Sequence, residues 1–106
     1  MKIKKNVGIA PFCLFDYFYP QLITIKDNVI IGLNVNILTH EFTHKKIKFA
    51  KTIIEENALI GAFTNIRCGV RIGKNSIVAM NSFVNKDIPD NEMWGGIPAK
   101  FIKKIK

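Results

Sequence analysis

An apolar residue recurs at every sixth position over long stretches of the sequence, and this period restricts the fold more than any other feature. A helix would repeat its apolar face every three or four residues, while an ordinary strand would alternate by two and then end. A sustained period of six is instead typical of short strands joined by tight corners that favour glycine and asparagine. A second column of small or β-branched residues stands two positions before the first. The longest unbroken series consists of Ile54, Ile60, Ile66, Ile72, Val78 and Val84.

Three such hexapeptides complete one triangular turn of the chain, which we call a coil. Shorter series with the same spacing precede the longest one, and stacked Ile and Val side chains would fill the interior. The sequence therefore predicts an all-β parallel β-helix of about four coils. It would form a single domain over residues 1–106, with the coils in 1–88. The earlier series are Ile3, Ile9 and Phe15, followed by Ile25, Ile31 and Ile37.

The period is interrupted twice, between Phe15 and Ile25 and again between Ile37 and Ile54. The second interruption, at about 38–53, predicts a loop that leaves the coil. Both histidines of the chain lie in this excursion, together with a cluster of lysines. Loops that leave a rigid scaffold often carry function. We therefore expect the functional residues to concentrate there.

The repeat ends before residue 89, and the segment 89–106 predicts a loop followed by a short helix over Pro98–Ile105. Proline suits the first turn of a helix, and Phe101, Ile102 and Ile105 would form one apolar side. A helix docked in this way would cover the open end of the coil, whose unpaired edge would otherwise invite aggregation.

The formal net charge of +8 favours an anionic partner. Cys13 and Cys68 have neither disulfide nor zinc spacing, and they predict free thiols. No apolar run is long enough to cross a membrane, so we expect a cytoplasmic location. The lysines form three clusters: Lys2, Lys4 and Lys5; Lys45, Lys46, Lys48 and Lys51; and Lys100, Lys103, Lys104 and Lys106.

Three segments, Ile60–Gly73, Ser82–Pro89 and Gly96–Lys100, together resemble the hexapeptide-repeat acetyltransferases. The similarity is greatest to the maltose, galactoside and Nod-factor type and to the sugar O-acetyltransferases of surface-polysaccharide pathways. The resemblance implies a left-handed β-helix and a homotrimer whose active sites lie between subunits. It also implies acetyl-CoA as co-substrate, no metal, and transfer of the acetyl group to a hydroxyl or amine of a sugar or related small molecule.

The resemblance also implies roles for individual residues. His40 matches the catalytic histidine of this family. As general base, its neutral imidazole would take the proton from the acceptor while the acceptor attacks the thioester. Asp16 and His44 fall at positions near the acceptor. Lysines near the coenzyme suit its phosphates, since charge-assisted contacts are strong. The residues that match coenzyme-binding positions are Ala62, Met80, Asn85, Lys86, Lys100 and Lys103.

Three other functions compete with this interpretation. The chain begins almost directly at the first coil, where relatives carry a helical segment, and this favours an inactive trimeric scaffold or shortened paralogue. A γ-class carbonic anhydrase needs three imidazoles on its zinc, whereas the chain has two histidines. Binding of nucleic acid or membrane through the lysines lacks a recognition motif. We therefore expect neither of these two partners.

Overall fold

The computed structural model describes residues 1–105, and Lys106, a member of the third lysine cluster, lies outside them. The chain forms short strands, with one 3-10 turn at Pro20–Leu22. In chain order the strands are β1 Lys2–Ile3, β2 Gly8–Ile9, β3 Leu14–Phe15, β4 Ile23–Ile25, β5 Ile30–Ile31, β6 Asn36–Ile37, β7 His40–Phe42, β8 Ile47–Phe49, β9 Thr52–Ile54, β10 Leu59–Ile60, β11 Asn65–Ile66, β12 Arg71–Ile72, β13 Ile77–Val78, β14 Phe83–Val84, β15 Glu92–Gly96 and β16 Ala99–Lys104.

The strands stack into three parallel sheets that run along the axis of the molecule. Sheet A contains β1, β4, β9 and β12, sheet C contains β3, β6, β11 and β14, and sheet B contains β2, β5, β10, β13 and β15 with β16 at its edge. From β1 to β14, apart from β7 and β8, successive strands of the chain therefore enter sheets A, B and C in turn. This topology confirms the predicted all-β parallel β-helix, while its left-handed winding stays a prediction.

The core consists of the two predicted columns of side chains. Ile54, Ile60 and Ile66 are fully buried, as are their counterparts in the neighbouring coils. The polar members of the second column satisfy themselves locally, since the hydroxyls of Ser76 and Ser82 each donate to a nearby backbone carbonyl at 2.6 Å. The first coil lies at the open end of the stack, and its apolar side chains are correspondingly more exposed.

Residues in the left-handed region of φ occupy the tight corners. Most of them are asparagines, which tolerate this conformation better than other residues with a side chain. Two phenylalanines, Phe12 and Phe63, break the rule at the corner between sheets B and C, with φ of 64° and 62°. The asparagines are Asn6, Asn28, Asn34, Asn57, Asn75, Asn81 and Asn91.

The prediction of a helix over Pro98–Ile105 is wrong. β15 pairs in parallel with β13, and β16 folds back antiparallel on β15, so the segment ends in a β-hairpin. The edge of β13 offers unpaired backbone groups that β15 satisfies, and this pairing outweighs the helical spacing of a few apolar residues. The excursion at 38–53 forms a second hairpin, because β7 pairs antiparallel with β8.

Two further sequence predictions concern the cysteines and the membrane. Cys13 and Cys68 are free, as expected, and burial raises the pKa of the Cys68 thiol. Among residues 1–105, no helix has the length and apolar character needed to span a bilayer.

Candidate active site

Both interruptions of the repeat leave the coil at the same place, the corner between sheets C and A, which we call the C–A corner. The first begins at Asp16, directly after β3, and the second begins after β6. Because β3 and β6 are neighbours in sheet C, the two excursions start one above the other. This stacking brings Asp16 and His40 together.

The carboxylate of Asp16 is buried and surrounded by backbone donors; the residue is 1% exposed. Its Oδ1 accepts from the backbone N–H groups of Phe18 and Tyr19, both at 2.9 Å, and its Oδ2 accepts from that of Thr39 at 2.7 Å. Desolvation by burial raises the pKa of Asp16, but the hydrogen bonds from the backbone and from His40 outweigh it. The net pKa lies well below its usual range, so the group is a carboxylate at neutral pH.

The imidazole of His40 lies against this carboxylate, with Nδ1 2.5 Å from Asp16 Oδ2. An ionised carboxylate can only accept, so Nδ1 must carry the proton and the lone pair of a neutral ring belongs to Nε2. The His40 side chain is 14% exposed. Nε2 has no hydrogen-bond partner among the described residues, and it is the atom that could take a proton from a substrate.

Aromatic side chains surround the imidazole. The rings of Phe18, Tyr19 and Phe42 lie edge-on to His40, with centroids at 5.2, 5.9 and 4.8 Å. Phe18 and Phe42 remain 62% and 58% exposed, so they form the outer rim of the site. The sequence analysis missed these residues, although the run Tyr17–Tyr19 in the first interruption was an available signal.

Thr39 fixes the base of the hairpin formed by β7 and β8. Its hydroxyl donates to the carbonyl of Tyr19 at 2.8 Å, and its own carbonyl accepts from Ala50 N–H at 3.0 Å. Thr39 is fully buried. The two excursions are therefore joined to each other as well as to the coil.

The predicted acceptor residues lie in very different surroundings. Asp16 contacts Nδ1 of His40 and is almost fully buried, so it offers little surface to a ligand. Its role at the acceptor stays a prediction. His44 lies in the exposed turn of the hairpin, where the hydroxyl of Thr43 donates to the carbonyl of Lys46. No hydrogen bond or ring contact of the described residues joins His44 to His40.

Most of the predicted coenzyme residues lie at one of the two corners that flank sheet C. Ala62 and Met80 lie together at the corner between sheets B and C, where Asn81 N–H donates to the Ala62 carbonyl at 2.8 Å. The chain is tight there, since a Cβ on Gly61 would lie 2.5 Å from the Met80 nitrogen. Lys100 is paired with Gly95 in the terminal hairpin, which reaches the same corner.

The other predicted coenzyme residues lie elsewhere. Asn85 and Lys86 follow β14 at the C–A corner, and Lys103 is exposed further along β16. Asn85 Oδ1 is buried and has no hydrogen-bond partner among the described residues. One chain therefore does not gather all six residues at a single site. Residues 1–105 contain no group of three or more His, Cys, Asp or Glu side chains placed to hold a metal ion.

Comparison with known proteins supports the resemblance. Residues 51–86 match the family described as "Bacterial transferase hexapeptide (six repeats)". YvoF of Bacillus subtilis, which is named only provisionally as an acetyltransferase, is 36% identical over 102 residues, covering 96% of this chain and 59% of that protein.

Solved structures agree with this match. A maltose O-acetyltransferase from Clostridium difficile 630 superimposes with a TM-score of 0.87 at 30% identity, covering 98% of this chain and 58% of that chain. A galactoside acetyltransferase in complex with coenzyme A superimposes with a TM-score of 0.78 at 32% identity, covering 98% of this chain and 55% of that chain.

The chain belongs to the hexapeptide-repeat transferase family, as the sequence predicted. It spans between 55% and 59% of the length of these three proteins. Their activity and substrates therefore apply to this chain only as a proposal.

Proposed function

We propose that this protein transfers an acetyl group from acetyl-CoA to a hydroxyl of a sugar or a related small molecule, with His40 as general base. The observation that carries the proposal is the buried carboxylate of Asp16. It receives three backbone N–H groups and Nδ1 of His40, and it leaves Nε2 as the proton acceptor. This arrangement orients a base in the way that nucleophilic acyl transfer requires.

The chemistry follows from the tautomer. As the acceptor oxygen attacks the thioester carbonyl, its proton passes to Nε2, the new carbon–oxygen bond forms and the carbon–sulfur bond breaks. Asp16 stabilises the resulting imidazolium without itself taking the proton. The proton then leaves with the coenzyme thiol. An amine acceptor would follow the same course.

The aromatic rim supports a sugar as acceptor. Phe18 and Phe42 offer exposed apolar surface beside His40, and ligand sites are commonly lined by aromatic side chains with a few polar groups. The C–H face of a pyranose ring could pack on such surface while a hydroxyl points toward Nε2. The acceptor named in the galactoside and maltose enzymes is a sugar, which agrees with this proposal.

The division of the coenzyme residues supports a site shared between subunits. Ala62 and Met80 lie at the corner between sheets B and C, while Asn85 and Lys86 lie at the C–A corner. If two copies pack side by side, the corner between sheets B and C of one copy can face the C–A corner of its neighbour. Both pairs of coenzyme residues can then line one groove. Exposed Lys100 on the terminal hairpin could meet a phosphate of the coenzyme there.

An apolar column, exposed at Ile30 and Leu59 and half-buried at Ile77 and Met93, supports the homotrimer. Ile30, Leu59, Ile77 and Met93 are paired in register on the outward face of sheet B. Ile30 is 55% and Leu59 38% exposed. A continuous apolar strip of this kind favours burial against another copy of the chain, and closed cyclic assemblies are the common result. The cytoplasmic location stays a prediction.

An inactive scaffold is the weaker alternative. A scaffold needs only the coil, and it has no need for a buried carboxylate aligned with an imidazole. Burying that charge costs free energy unless its hydrogen bonds compensate, so its presence favours a chemical role.

Calorimetric titration of acetyl-CoA into the purified protein, at low and at higher salt, tests the proposal. We expect saturable binding at one site per chain that weakens as salt rises, because phosphate contacts are screened. Replacing His40 with Ala should lower the rate of acetyl transfer to maltose or a galactoside by about a hundredfold to ten-thousandfold. Coenzyme affinity should change little.

Light scattering on the same samples reports the mass of the assembly. A folded wild-type protein that binds no acetyl-CoA would contradict the proposed function. A His40→Ala variant with the wild-type rate would show that another group is the base.

A further inference from the structure

The hairpin that carries His40 is attached to the coil at few points. Among residues 1–105, strand β7 pairs only with β8, and the two form a sheet separate from sheets A, B and C. The backbone ladder of the coil therefore does not fix the direction in which β7 leaves the scaffold. Side-chain contacts near the base of the hairpin must do so.

One such contact comes from the residue next to His40. Arg67 donates to Glu41 through two parallel hydrogen bonds, Nε to Oε1 at 2.7 Å and Nη2 to Oε2 at 2.9 Å. Two parallel bonds between a guanidinium and a carboxylate define both distance and orientation. The hydrogen bonds from Arg67 lower the pKa of Glu41, so the pair stays charged at neutral pH.

Arg67 itself belongs to the rigid part of the molecule. It directly follows β11, and its N–H donates to the carbonyl of Val84 at 3.0 Å in the next coil. Adjacent residues of a strand direct their side chains to opposite faces. Glu41 therefore reaches Arg67 on one side of β7, while His40 reaches Asp16 on the other. Strand β7 leaves the coil after β6. It is therefore held between the corner after β3, which carries Asp16, and the corner after β11, which carries Arg67.

We propose that Glu41 and Arg67 are positioning residues that hold β7 so that Nε2 of His40 stays aligned with the acceptor. This inference rests on the proposed function. The pair lies on the surface, with side chains 30% and 39% exposed, and exposed ion pairs add little to stability. Its value is geometric, because small displacements of a catalytic group can cost large factors in rate.

Three variants of the full chain test the role. Glu41→Gln removes the charge and one acceptor oxygen, and we expect kcat for acetyl transfer to maltose or a galactoside to fall by about ten- to a hundredfold. The KM for acetyl-CoA should change by less than about twofold. Arg67→Lys keeps the charge but loses the two-pronged geometry, and it should also lower kcat. The double exchange Glu41→Arg with Arg67→Glu should recover most of the lost rate.

Asp90→Asn is the matched control. Asp90 pairs with Arg71 at 3.1 Å at a similarly exposed site away from the hairpin. We expect this change to leave kcat near the wild-type value. Thermal unfolding of all variants should stay close to wild type, which separates positioning from a structural role. A Glu41→Gln variant with the wild-type kcat would overturn the inference.

Nuclear magnetic resonance keeps this inference separate from the proposed function. We expect the His40 Nδ1 proton to give a sharp downfield signal in the wild type and to broaden by exchange in Glu41→Gln, with faster amide exchange in β7. If the wild type transfers no acetyl group, the proposed function fails and these signals alone decide the positioning role. Identical signals in the variant and the wild type would then overturn it.

Discussion

The coil and the C–A corner are built on opposite principles. In the coil, Ile or Val recurs at a fixed interval, the interior is mostly apolar, and each coil repeats the one before it. At the C–A corner the repeat stops, a carboxylate is buried, and two irregular excursions contact each other through Asp16, Thr39 and His40. The regular part supplies stability, and the irregular part carries the residues of the candidate active site.

The shared corner of the two interruptions suits the proposed function. A catalytic pair needs two side chains fixed within a fraction of an ångström of each other. Parallel pairing between strands holds consecutive coils in register. Two excursions that leave the coil at the same corner are therefore held in register with each other. Asp16 and His40 are far apart in sequence, yet the strands that precede them, β3 and β6, are direct neighbours in sheet C.

The largest effect should come from disturbing the irregular part. Asp16→Asn replaces one carboxylate oxygen with an amino group, which cannot accept hydrogen bonds, and the hold on the His40 tautomer is lost. We expect the rate of acetyl transfer to fall by about a thousandfold, as expected when the tautomer is no longer fixed. Steady-state kinetics with acetyl-CoA measures this effect.

Acid titration of unfolding distinguishes the charge from the shape of Asp16. Because the folded pKa of Asp16 lies below its usual value of 3.8, the carboxylate stabilises the fold above that pH, and this contribution is lost as the pH falls further. The difference in stability between wild type and Asp16→Asn should therefore shrink below about pH 4. A difference that is constant across this range would show that shape alone matters.

A smaller effect is expected from the regular part, and it should appear in stability. Ile60→Ala removes a fully buried side chain from the middle of the column, and it should lower the free energy of unfolding by about 2–5 kcal/mol. Ile9→Ala is the matched control, because Ile9 occupies the same column at the open end and is 38% exposed. Its loss should be less than half as large in chemical denaturation at equal protein concentration. Equal losses would mean that the open end is covered in solution.

The smallest effect should come from relieving a strained corner. Phe63→Asn places at a φ of 62° the residue type that most of the other corners use, and we expect the free energy of unfolding to rise by about 0.5 kcal/mol. The reverse change at the same corner of the preceding coil, Asn34→Phe, should lower the free energy of unfolding by a similar amount. A loss on Phe63→Asn would instead indicate that the exposed ring packs against another copy of the chain.

Much of the coil was predictable, and the terminal segment was not. The period of six identifies the buried columns directly, because every rung faces the same environment and selects the same residue type. The segment after β14 has no repeat, and its few apolar residues fit a helix as well as a strand. The free edge of β13 decided between them, and that edge exists only after the coil has formed.

The candidate site was predictable only in part. His40 was identified by a resemblance, but the geometry around it was not. Asp16 was expected near the acceptor, but its contact with the imidazole of His40 was not foreseen. The aromatic rim and the Glu41–Arg67 pair depend on which residues meet across different coils, and the order of residues along the chain does not reveal such contacts.

The sequence by itself determined the repeat, the coil, and the places where the chain leaves it, because a period is a local property that each hexapeptide carries. The tertiary structure alone decided which excursions meet, which nitrogen of His40 is free, and how the last strands close the coil. These features depend on hydrogen bonds between residues distant in sequence. Their geometry is fixed only when neighbouring rungs are stacked in register.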